Sequence, residues 1–236
     1  FVAKVVSSSG SDGEGLFGIV NNAGIAPPSL SALVDKSEQE TMLMLNVNLL
    51  GPHRVTKAMY PYLVKLGPRQ KTDKEKDEFI GGAVVNVSSV VGRVYPGFVS
   101  WYPTTKAAVA VYSGTLRQEL RSKKIRVGYV EPGAIQTEIW SPPRIEPTSE
   151  FVSEIKKTEA SLINIHNRAK QPPSVISESI IRMLFTYRNK GYDGIANEIG
   201  ETNLGKLLGY MVMPVVPNWL MDYLMRFAHH KWFILG

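Results

Sequence analysis

The sequence predicts an α/β fold in which a parallel β-sheet is covered by helices on both faces. Three short apolar runs, 15–22, 82–87 and 125–131, have the length and composition of buried strands. Two long stretches with helical patterns, 37–66 and 100–124, lie between consecutive runs. Strands that alternate with helices in this way are typical of a parallel sheet.

The first long helix has clear start and stop signals. Ser37 is followed three residues later by Glu40, which is the pattern of a capping box. The helix is expected to run to about Leu66 and to end at Gly67. Pro61 lies inside it and is expected to bend it. The charged residues 69–78 then predict a solvated loop before the second strand.

After the third strand the pattern becomes less regular. Residues 140–172 begin with a proline-rich stretch and continue into a polar helix at 149–168, so they are expected to form a flap over the sheet edge. A helix at 174–187 and a short strand at 192–196 complete the predicted domain. Residues 205–236 are expected to form a helical C-terminal segment.

Composition limits the function classes. The chain has 236 residues, with 44% hydrophobic and 20% charged residues, which suits a single globular domain over 1–236. It has no cysteine, which excludes disulfides, thiolate metal sites and cysteine nucleophiles. The net charge of +6 comes from scattered basic residues, so no nucleic-acid surface is predicted. The four histidines lack metal-ligand spacing with carboxylates, so no metal site is predicted either.

No apolar stretch reaches the roughly 18 residues of a membrane-spanning helix. The nearest, Leu207–Met221, is interrupted by Pro214, Pro217 and Asn218. Two interpretations of this C-terminal part stay open: contact with a membrane surface, and a buried or oligomer-facing helix. The chain begins at Phe1 and not at methionine, so further residues are expected upstream.

Three side chains suggest acid–base chemistry. Tyr102 and Lys106 are four residues apart on a predicted helix and therefore share a face. A lysine ammonium at that distance is expected to lower the pKa of the tyrosine. Ser89, thirteen residues before Tyr102, can hydrogen-bond a substrate oxygen. Such a set suits proton transfer to a carbonyl, or from an alcohol, while a hydride moves elsewhere. The Tyr102–Lys106 pair by itself is equally typical of a helix surface contact.

The topology predicts that distant residues meet. Asn21, Ser89 and Pro132 each follow the end of a predicted strand. Ligands of open parallel sheets bind at the carboxyl ends of the strands. We therefore expect these three positions to border one crevice.

Five motifs in register resemble the short-chain dehydrogenase/reductase family. The resemblance is strong over 15–137 and looser over 172–226, and it implies a Rossmann-like doubly wound parallel sheet. The matching segments are Asn21-Asn22-Ala23-Gly24, Asn48-Leu49-Leu50-Gly51, Val87-Ser88-Ser89, Tyr102-x-x-x-Lys106 and Pro132-Gly133-Ala134-Ile135-Gln136-Thr137.

The resemblance implies a role for each catalytic candidate. Tyr102 would be the general acid/base, and Lys106 would lower its pKa and hydrogen-bond the nicotinamide ribose. Ser89 would polarise the substrate oxygen. Asn48 would hold a water that connects Lys106 to solvent, although a helix kink is an alternative role. The implied catalytic set is Asn48, Ser89, Tyr102 and Lys106.

The implied cofactor is NAD or NADP. Asn22 and Gly24 would shape the crevice near its ribose, and the backbone at 132–135 with the Thr137 hydroxyl would hold the nicotinamide carboxamide. Asn22 could instead tie a strand end, and Thr137 could instead cap a helix. The implied cofactor-binding set is Asn22, Ala23, Gly24, Tyr102, Lys106, Pro132, Gly133, Ile135 and Thr137.

The N-terminal part departs from the family pattern. Family members begin with a strand, a glycine-rich turn and a helix, so the N-terminal βαβ portion, roughly 80 residues, is expected upstream of Phe1. Residues 10–15 contain three glycines but lead into a strand, whereas a dinucleotide loop leads into a helix. They are therefore not interpreted as a phosphate loop, and Phe1–Ser7 is interpreted as the tail of a helix.

The segments Gly15–Gly18 and Val130–Gly133 resemble the retinoid and steroid branch of the family. The implied substrate is a bulky apolar alcohol or ketone, in a pocket walled by Tyr95, Phe98, Trp140 and the flap. Aromatic loop residues are as often simple packing.

In relatives, the two long helices often pair with their copies, so a homodimer is expected. The expected location is intracellular, either cytoplasmic or membrane-associated. An alternative interpretation is a catalytically inactive, truncated family member that acts as a binding or scaffold subunit.

Overall fold

The structure is a computed structural model that describes residues 16–65, 82–140, 150–168, 171–185 and 197–199. Several predicted features lie outside these ranges. They are the proposed helix tail 1–7, the glycines at 10–15, the loop 69–78, the flap residues 141–149 and the C-terminal segment 205–236.

The predicted parallel sheet is confirmed. The described strands pair in the order β1-β2-β3-β4, and every pairing is parallel. The fourth strand follows directly after the predicted stretch 192–196, which lies outside the described ranges. The strand bounds are β1 Gly18–Asn21, β2 Ala83–Val87, β3 Arg126–Glu131 and β4 Asn197–Ile199.

Six α-helices are described. The predicted helices at 37–66, 100–124, 149–168 and 174–187 are all present with slightly different ends. Short 3-10 turns occupy Leu33–Asp35, Arg121–Lys123 and Glu138–Trp140. The helix bounds are α1 Glu38–Leu45, α2 Gly51–Lys65, α3 Val91–Val94, α4 Tyr102–Leu120, α5 Val152–Arg168 and α6 Ser174–Phe185.

The first long helix is interrupted at Asn48. Its start is as predicted, because the Ser37 hydroxyl accepts a hydrogen bond from the Glu40 amide at 3.3 Å and donates one to the Glu40 carboxylate at 3.0 Å. A π-helical turn at Asn46–Leu50 then separates α1 from α2. The helix continues through Pro61. Such π-turns are frequent at functional sites.

Helices cover both faces of the sheet, as predicted. On one face Val84 and Val127 pack with Leu63 of α2 and Leu120 of α4. On the other face Val85 and Val130 pack with Met183 of α6, which is part of a separate cluster. The two strands therefore alternate between two apolar layers, which is the expected arrangement for a buried parallel sheet.

The predicted loop 90–99 contains the short helix α3 and a strained segment. Tyr95, Phe98 and Ser100 all have φ between 45° and 62°, the left-handed region that side-chain-bearing residues seldom adopt. Ser31 and Val99 pair in an isolated parallel bridge, with the Ser31 amide donating to the Phe98 carbonyl at 3.1 Å. This pairing holds the segment that leads into Tyr102.

Within the described ranges, every helix is too short or too polar to span a membrane.

Candidate active site

A buried chain of polar side chains connects the strand ends to the helices. The Asn21 amide donates to Thr56 at 3.2 Å and to Asn86 at 2.7 Å. The Asn86 amide donates to the Ser113 hydroxyl at 2.8 Å, and that hydroxyl donates to the Val109 carbonyl at 2.7 Å. Asn21 therefore joins β1 to β2 and α2. This agrees with the alternative role for the motif 21–24, in which its asparagines tie a strand end.

Tyr102 and Lys106 lie together on the first turns of α4. Their exposed fractions are 5% and 4%. The Lys106 Nζ is 5.6 Å from the centroid of the Tyr102 ring and donates a hydrogen bond to the Val87 carbonyl at 3.0 Å. That carbonyl belongs to the last residue of β2, so the ammonium lies at the carboxyl end of the sheet.

The Ser89 hydroxyl lies beside Tyr102. The two side chains share a hydrogen bond. The same hydroxyl donates to the Pro132 carbonyl at 3.5 Å and accepts a hydrogen bond from the Val91 amide at 3.4 Å. Two of the three strand-end positions expected to border one crevice, Ser89 and Pro132, are therefore in contact, whereas the Asn21 side chain bonds Thr56 and Asn86.

Gly92 explains how Ser89 comes so close to α4. A Cβ on Gly92 would lie 2.7 Å from the Ala107 amide nitrogen and 2.9 Å from the Lys106 carbonyl carbon, distances that ordinary packing does not allow. Only glycine therefore permits this close approach. The Ser88 hydroxyl also donates to the Lys106 carbonyl at 2.7 Å, which closes the same contact.

The predicted fall in the tyrosine pKa is not found. Burial raises the pKa of Tyr102 to about 12, although its hydrogen bond with Ser89 acts in the opposite direction. Burial also lowers the pKa of Lys106 to about 8. The prediction allowed for charge attraction but not for the loss of water around both groups, which opposes ionisation of the phenol and of the ammonium.

Asn48 lies in the π-turn and is almost fully buried. Its Oδ1 accepts from the Ile25 amide at 2.8 Å, and its Nδ2 donates to the Ile25 carbonyl at 3.0 Å and to the Thr105 hydroxyl at 3.1 Å. Asn48 therefore fixes the loop after β1 against α4. Asn48 sits at the helix interruption, which agrees with its alternative role at a helix kink. The water that would connect Lys106 to solvent remains a prediction.

Gly24 separates Asn48 from Lys106. A Cβ at Gly24 would lie 3.2 Å from the Lys106 Nζ and 3.4 Å from the Asn48 Oδ1. Asn22 and Ala23 are exposed beside it. The loop after β1 thus passes so close to the ammonium that a side chain at this position would press on Lys106.

The segment after β3 borders the same crevice. Pro132 is held by Ser89, and a Cβ on Gly133 would meet no atom within 4 Å. Ile135 pairs with Gln171 in an isolated bridge, which ties the segment to the start of α6. Thr137 is half-buried immediately before a 3-10 turn.

These residues fit a nicotinamide ribose. Among the described residues, the Lys106 ammonium donates one hydrogen bond, to Val87, although it carries three protons. Open space lies over Gly133. A ribose hydroxyl group that reached the ammonium would therefore find a donor.

Apolar side chains surround Tyr102. Met44, Val99 and Tyr102 form a buried cluster, against which Ile139 and Leu162 pack. Leu162 belongs to α5, so part of the segment 140–172 packs against the cluster that contains the tyrosine. Next to this cluster the rings of Phe98 and Phe151 are in contact, with centroids 5.9 Å apart.

The predicted pocket wall is only partly described. Phe98 is half-buried and packs on the flap, whereas Tyr95 is exposed to solvent. The side chain of Trp140 lies outside the described residues.

Sequence reasoning missed the ion pair between Arg93 and Glu131. The Arg93 Nε lies 2.8 Å from both carboxylate oxygens of Glu131. The available signal was an acidic residue at the end of a strand predicted to be buried, because a buried carboxylate requires a partner.

Comparison with known proteins gives consistent results. Residues 1–147 match the family described as short chain dehydrogenase. Human retinol dehydrogenase 16 is 30% identical over 235 residues, which cover 90% of this chain and 64% of that protein. Human 17-beta-hydroxysteroid dehydrogenase type 6 is 36% identical over 123 residues, which cover 52% of this chain and 34% of that protein.

The chain therefore spans less than two thirds of the length of these two relatives. Among solved structures, a 3-ketoacyl-(acyl-carrier-protein) reductase from Brucella melitensis complexed with NADH superposes with a TM-score of 0.58 at 20% identity. The match covers 84% of this chain and 69% of that chain. This likeness agrees with the Rossmann-like fold predicted from the sequence.

Proposed function

Because this chain belongs to the short-chain dehydrogenase family, we propose that the protein is an NAD(P)-dependent oxidoreductase that interconverts an alcohol and a ketone or aldehyde. The observation that carries the proposal is the convergence of Ser89, Tyr102 and Lys106, which are brought together from a loop and a helix. A hydroxyl pair beside a buried ammonium suits proton exchange with a carbonyl oxygen.

A bound nicotinamide would supply or accept the hydride, which protein side chains cannot do. The protein would supply the proton. In the reductive direction the Tyr102 hydroxyl donates its proton to the forming alkoxide, and in the oxidative direction the Tyr102 phenolate removes the alcohol proton. Ser89 donates a hydrogen bond to the same substrate oxygen, which stabilises the charge that develops there.

Lys106 stabilises the tyrosinate that exists after proton donation. Its ammonium lies 5.6 Å from the ring centroid and is shielded from water, so the attraction is stronger than it would be at the surface. In the proposed proton route the Lys106 ammonium gives a proton to the tyrosinate. A water held beside Asn48 would then replace the proton on Lys106.

Turnover tests the proposal directly. The full chain is mixed with NAD or NADP and with a panel of alcohols and ketones, and absorbance of the reduced nicotinamide is followed. Oxidation or reduction by the wild type, with loss of turnover in Ser89→Ala, supports the proposal. Absence of nucleotide binding together with absence of turnover would refute it.

The proposed substrate is a bulky apolar alcohol or ketone such as a steroid or retinoid. The apolar cluster around Tyr102 and the Phe98–Phe151 contact support this class, because they place hydrophobic surface beside the reacting groups. The names of the two human relatives point the same way. The test compares kcat/KM for steroid and retinoid substrates with values for short hydroxy acids. Higher kcat/KM for the hydroxy acids would contradict this substrate class.

We also propose a homodimer formed through α2 and α4. Val111 on α4 is 71% exposed, and Val55 on α2 is 43% exposed. His53 and Tyr112 connect the two helices by an edge-to-face contact, with ring centroids 6.1 Å apart. An apolar strip on a rigid pair of helices suits pairing with its own copy.

The proposed location is intracellular, either in the cytoplasm or on a membrane surface through residues 205–236. The absence of cysteine agrees with a reducing compartment. Cell fractionation, together with flotation on liposomes with and without residues 205–236, distinguishes the two locations.

A further inference from the structure

We propose that the ion pair between Arg93 and Glu131 is a positioning device that holds Ser89 at a fixed place relative to Pro132. The inference rests on the proposed function, because it assigns Ser89 to the substrate oxygen and Pro132 to the cofactor side. Neither charged residue is expected to contact the substrate. Their effect on turnover passes through Ser89.

The pair is well built for this role. The Arg93 Nε donates to both carboxylate oxygens of Glu131 at 2.8 Å, and one terminal nitrogen donates to the Tyr129 hydroxyl at 3.1 Å. The Glu131 side chain is 1% exposed and that of Arg93 is 22% exposed. Tyr129 and Glu131 are two residues apart on β3, so they project from the same face and reach one guanidinium group.

The ion pair and a backbone hydrogen bond together close a ring between α3 and the end of β3. The Val90 amide, next to Ser89, donates to the Pro132 carbonyl at 3.1 Å. Three residues further on, Arg93 binds Glu131, which directly precedes Pro132. Backbone hydrogen bonds and the Ser89 hydroxyl join residues 88–90 to the end of β3, and the Arg93–Glu131 ion pair adds a connection from α3 itself. The ion pair therefore restricts rotation of α3 relative to β3.

Because the Glu131 carboxylate is buried, the connection needs both Arg93 and Glu131. Loss of water raises the pKa of Glu131, and the adjacent guanidinium of Arg93 acts against that rise. Removal of Arg93 would leave a buried carboxylate without its cation, and the carboxylate would take up a proton or draw in water. Either response moves the residues around it, and Ser89 is one of the first affected.

The central experiment measures steady-state kinetics of Arg93→Met and Glu131→Gln in the full chain. We expect Arg93→Met to lower kcat about 10- to 100-fold with a smaller change in KM for the alcohol, because a small displacement of a catalytic group has effects of this size. Glu131→Gln keeps an acceptor for Arg93 and is expected to lose less. It also serves as the test if Arg93→Met does not fold.

The decisive comparison places Arg93→Met in a Ser89→Ala background. If Arg93 acts through Ser89, the double variant has the kcat of Ser89→Ala alone. Additive losses in the double variant would overturn the proposal. Lys36→Met is the matched control, because Lys36 forms an ion pair at a different place, with Glu40 of α1 at 3.0 Å. It is expected to leave kcat unchanged.

A second measurement does not depend on activity. Amide hydrogen exchange should become faster in Arg93→Met within 88–94 and 132–137, whereas β1 should keep its wild-type protection. Unchanged exchange in both segments, or equal acceleration everywhere, would overturn the proposal. If the wild type shows no oxidoreductase activity, the proposed function fails, and the exchange pattern still decides whether the ion pair links the two segments.

Discussion

The Lys106 ammonium lies 5.6 Å from the centroid of the Tyr102 ring, and burial shifts the pKa values of the two groups in opposite directions. The pKa of Tyr102 rises to about 12, and that of Lys106 falls to about 8. Near neutral pH the pair is therefore a protonated phenol beside an ammonium. This is the state required for proton donation to a carbonyl, whereas the reverse reaction needs the phenolate and should accelerate as the pH rises.

The first prediction concerns stability and pH. Because the pKa of Lys106 is about 8 in the folded protein and 10.5 ordinarily, the unfolded chain binds more protons between these values. The free energy of unfolding of the nucleotide-free protein should therefore increase with pH in this window, by on the order of 1 kcal/mol per pH unit. Above about pH 10 Tyr102 acts in the opposite direction, because its folded pKa exceeds its ordinary value of 10.0.

Urea unfolding at a series of pH values measures this effect. Lys106→Met should remove most of the increase, because the titrating group is gone. Lys57→Met, a change of an exposed lysine on α2, should retain it. An equal pH dependence in wild type and Lys106→Met would contradict the assignment.

The second prediction concerns the tyrosine hydroxyl. Tyr102→Phe should lower kcat by about 10²- to 10⁴-fold, the usual contribution of a positioned acid or base, while the circular dichroism spectrum and the thermal midpoint stay near those of the wild type. Tyr112→Phe is the control, because Tyr112 is half-buried on the same helix. Rates near wild type in Tyr102→Phe would eliminate the proposed mechanism.

The third prediction uses two glycines with opposite surroundings. Gly92→Ala should destabilise the protein by about 1–3 kcal/mol, because the new methyl group would overlap backbone atoms of α4. Gly114→Ala, at a position on α4 where a Cβ meets nothing within 4 Å, should stabilise it by up to about 1 kcal/mol. Denaturant midpoints provide both values. Similar effects at the two sites would disprove the close contact at Gly92.

The fourth prediction concerns assembly. Val111→Lys should shift the protein from dimer to monomer in sedimentation experiments, because it places a charge in the proposed apolar interface. Ile181→Lys is the control, because Ile181 is 53% exposed on α6, outside the proposed interface, and this change should leave the dimer intact. A wild type that sediments as a monomer at micromolar concentration would exclude this interface.

Local pattern was enough to predict much of the molecule. The alternation of apolar runs and helical stretches predicted three of the four described strands, because a buried parallel strand needs a continuous apolar run. The capping box at Ser37 is also as predicted, since the cap and its partner are only three residues apart. The spacing of Tyr102 and Lys106 similarly determined that they share a helix face.

Other features depended on contacts between residues that are distant in sequence. The approach of Gly92 to Lys106, the pairing of Arg93 with Glu131 and the contact of Phe98 with Phe151 join different elements, and a local pattern does not specify them. The pKa values of Tyr102 and Lys106 also depend on contacts between residues that are distant in sequence. Their shared helix face follows from the sequence, whereas the loss of water that controls their ionisation arises only when α3, the loop after β1 and α5 close around them.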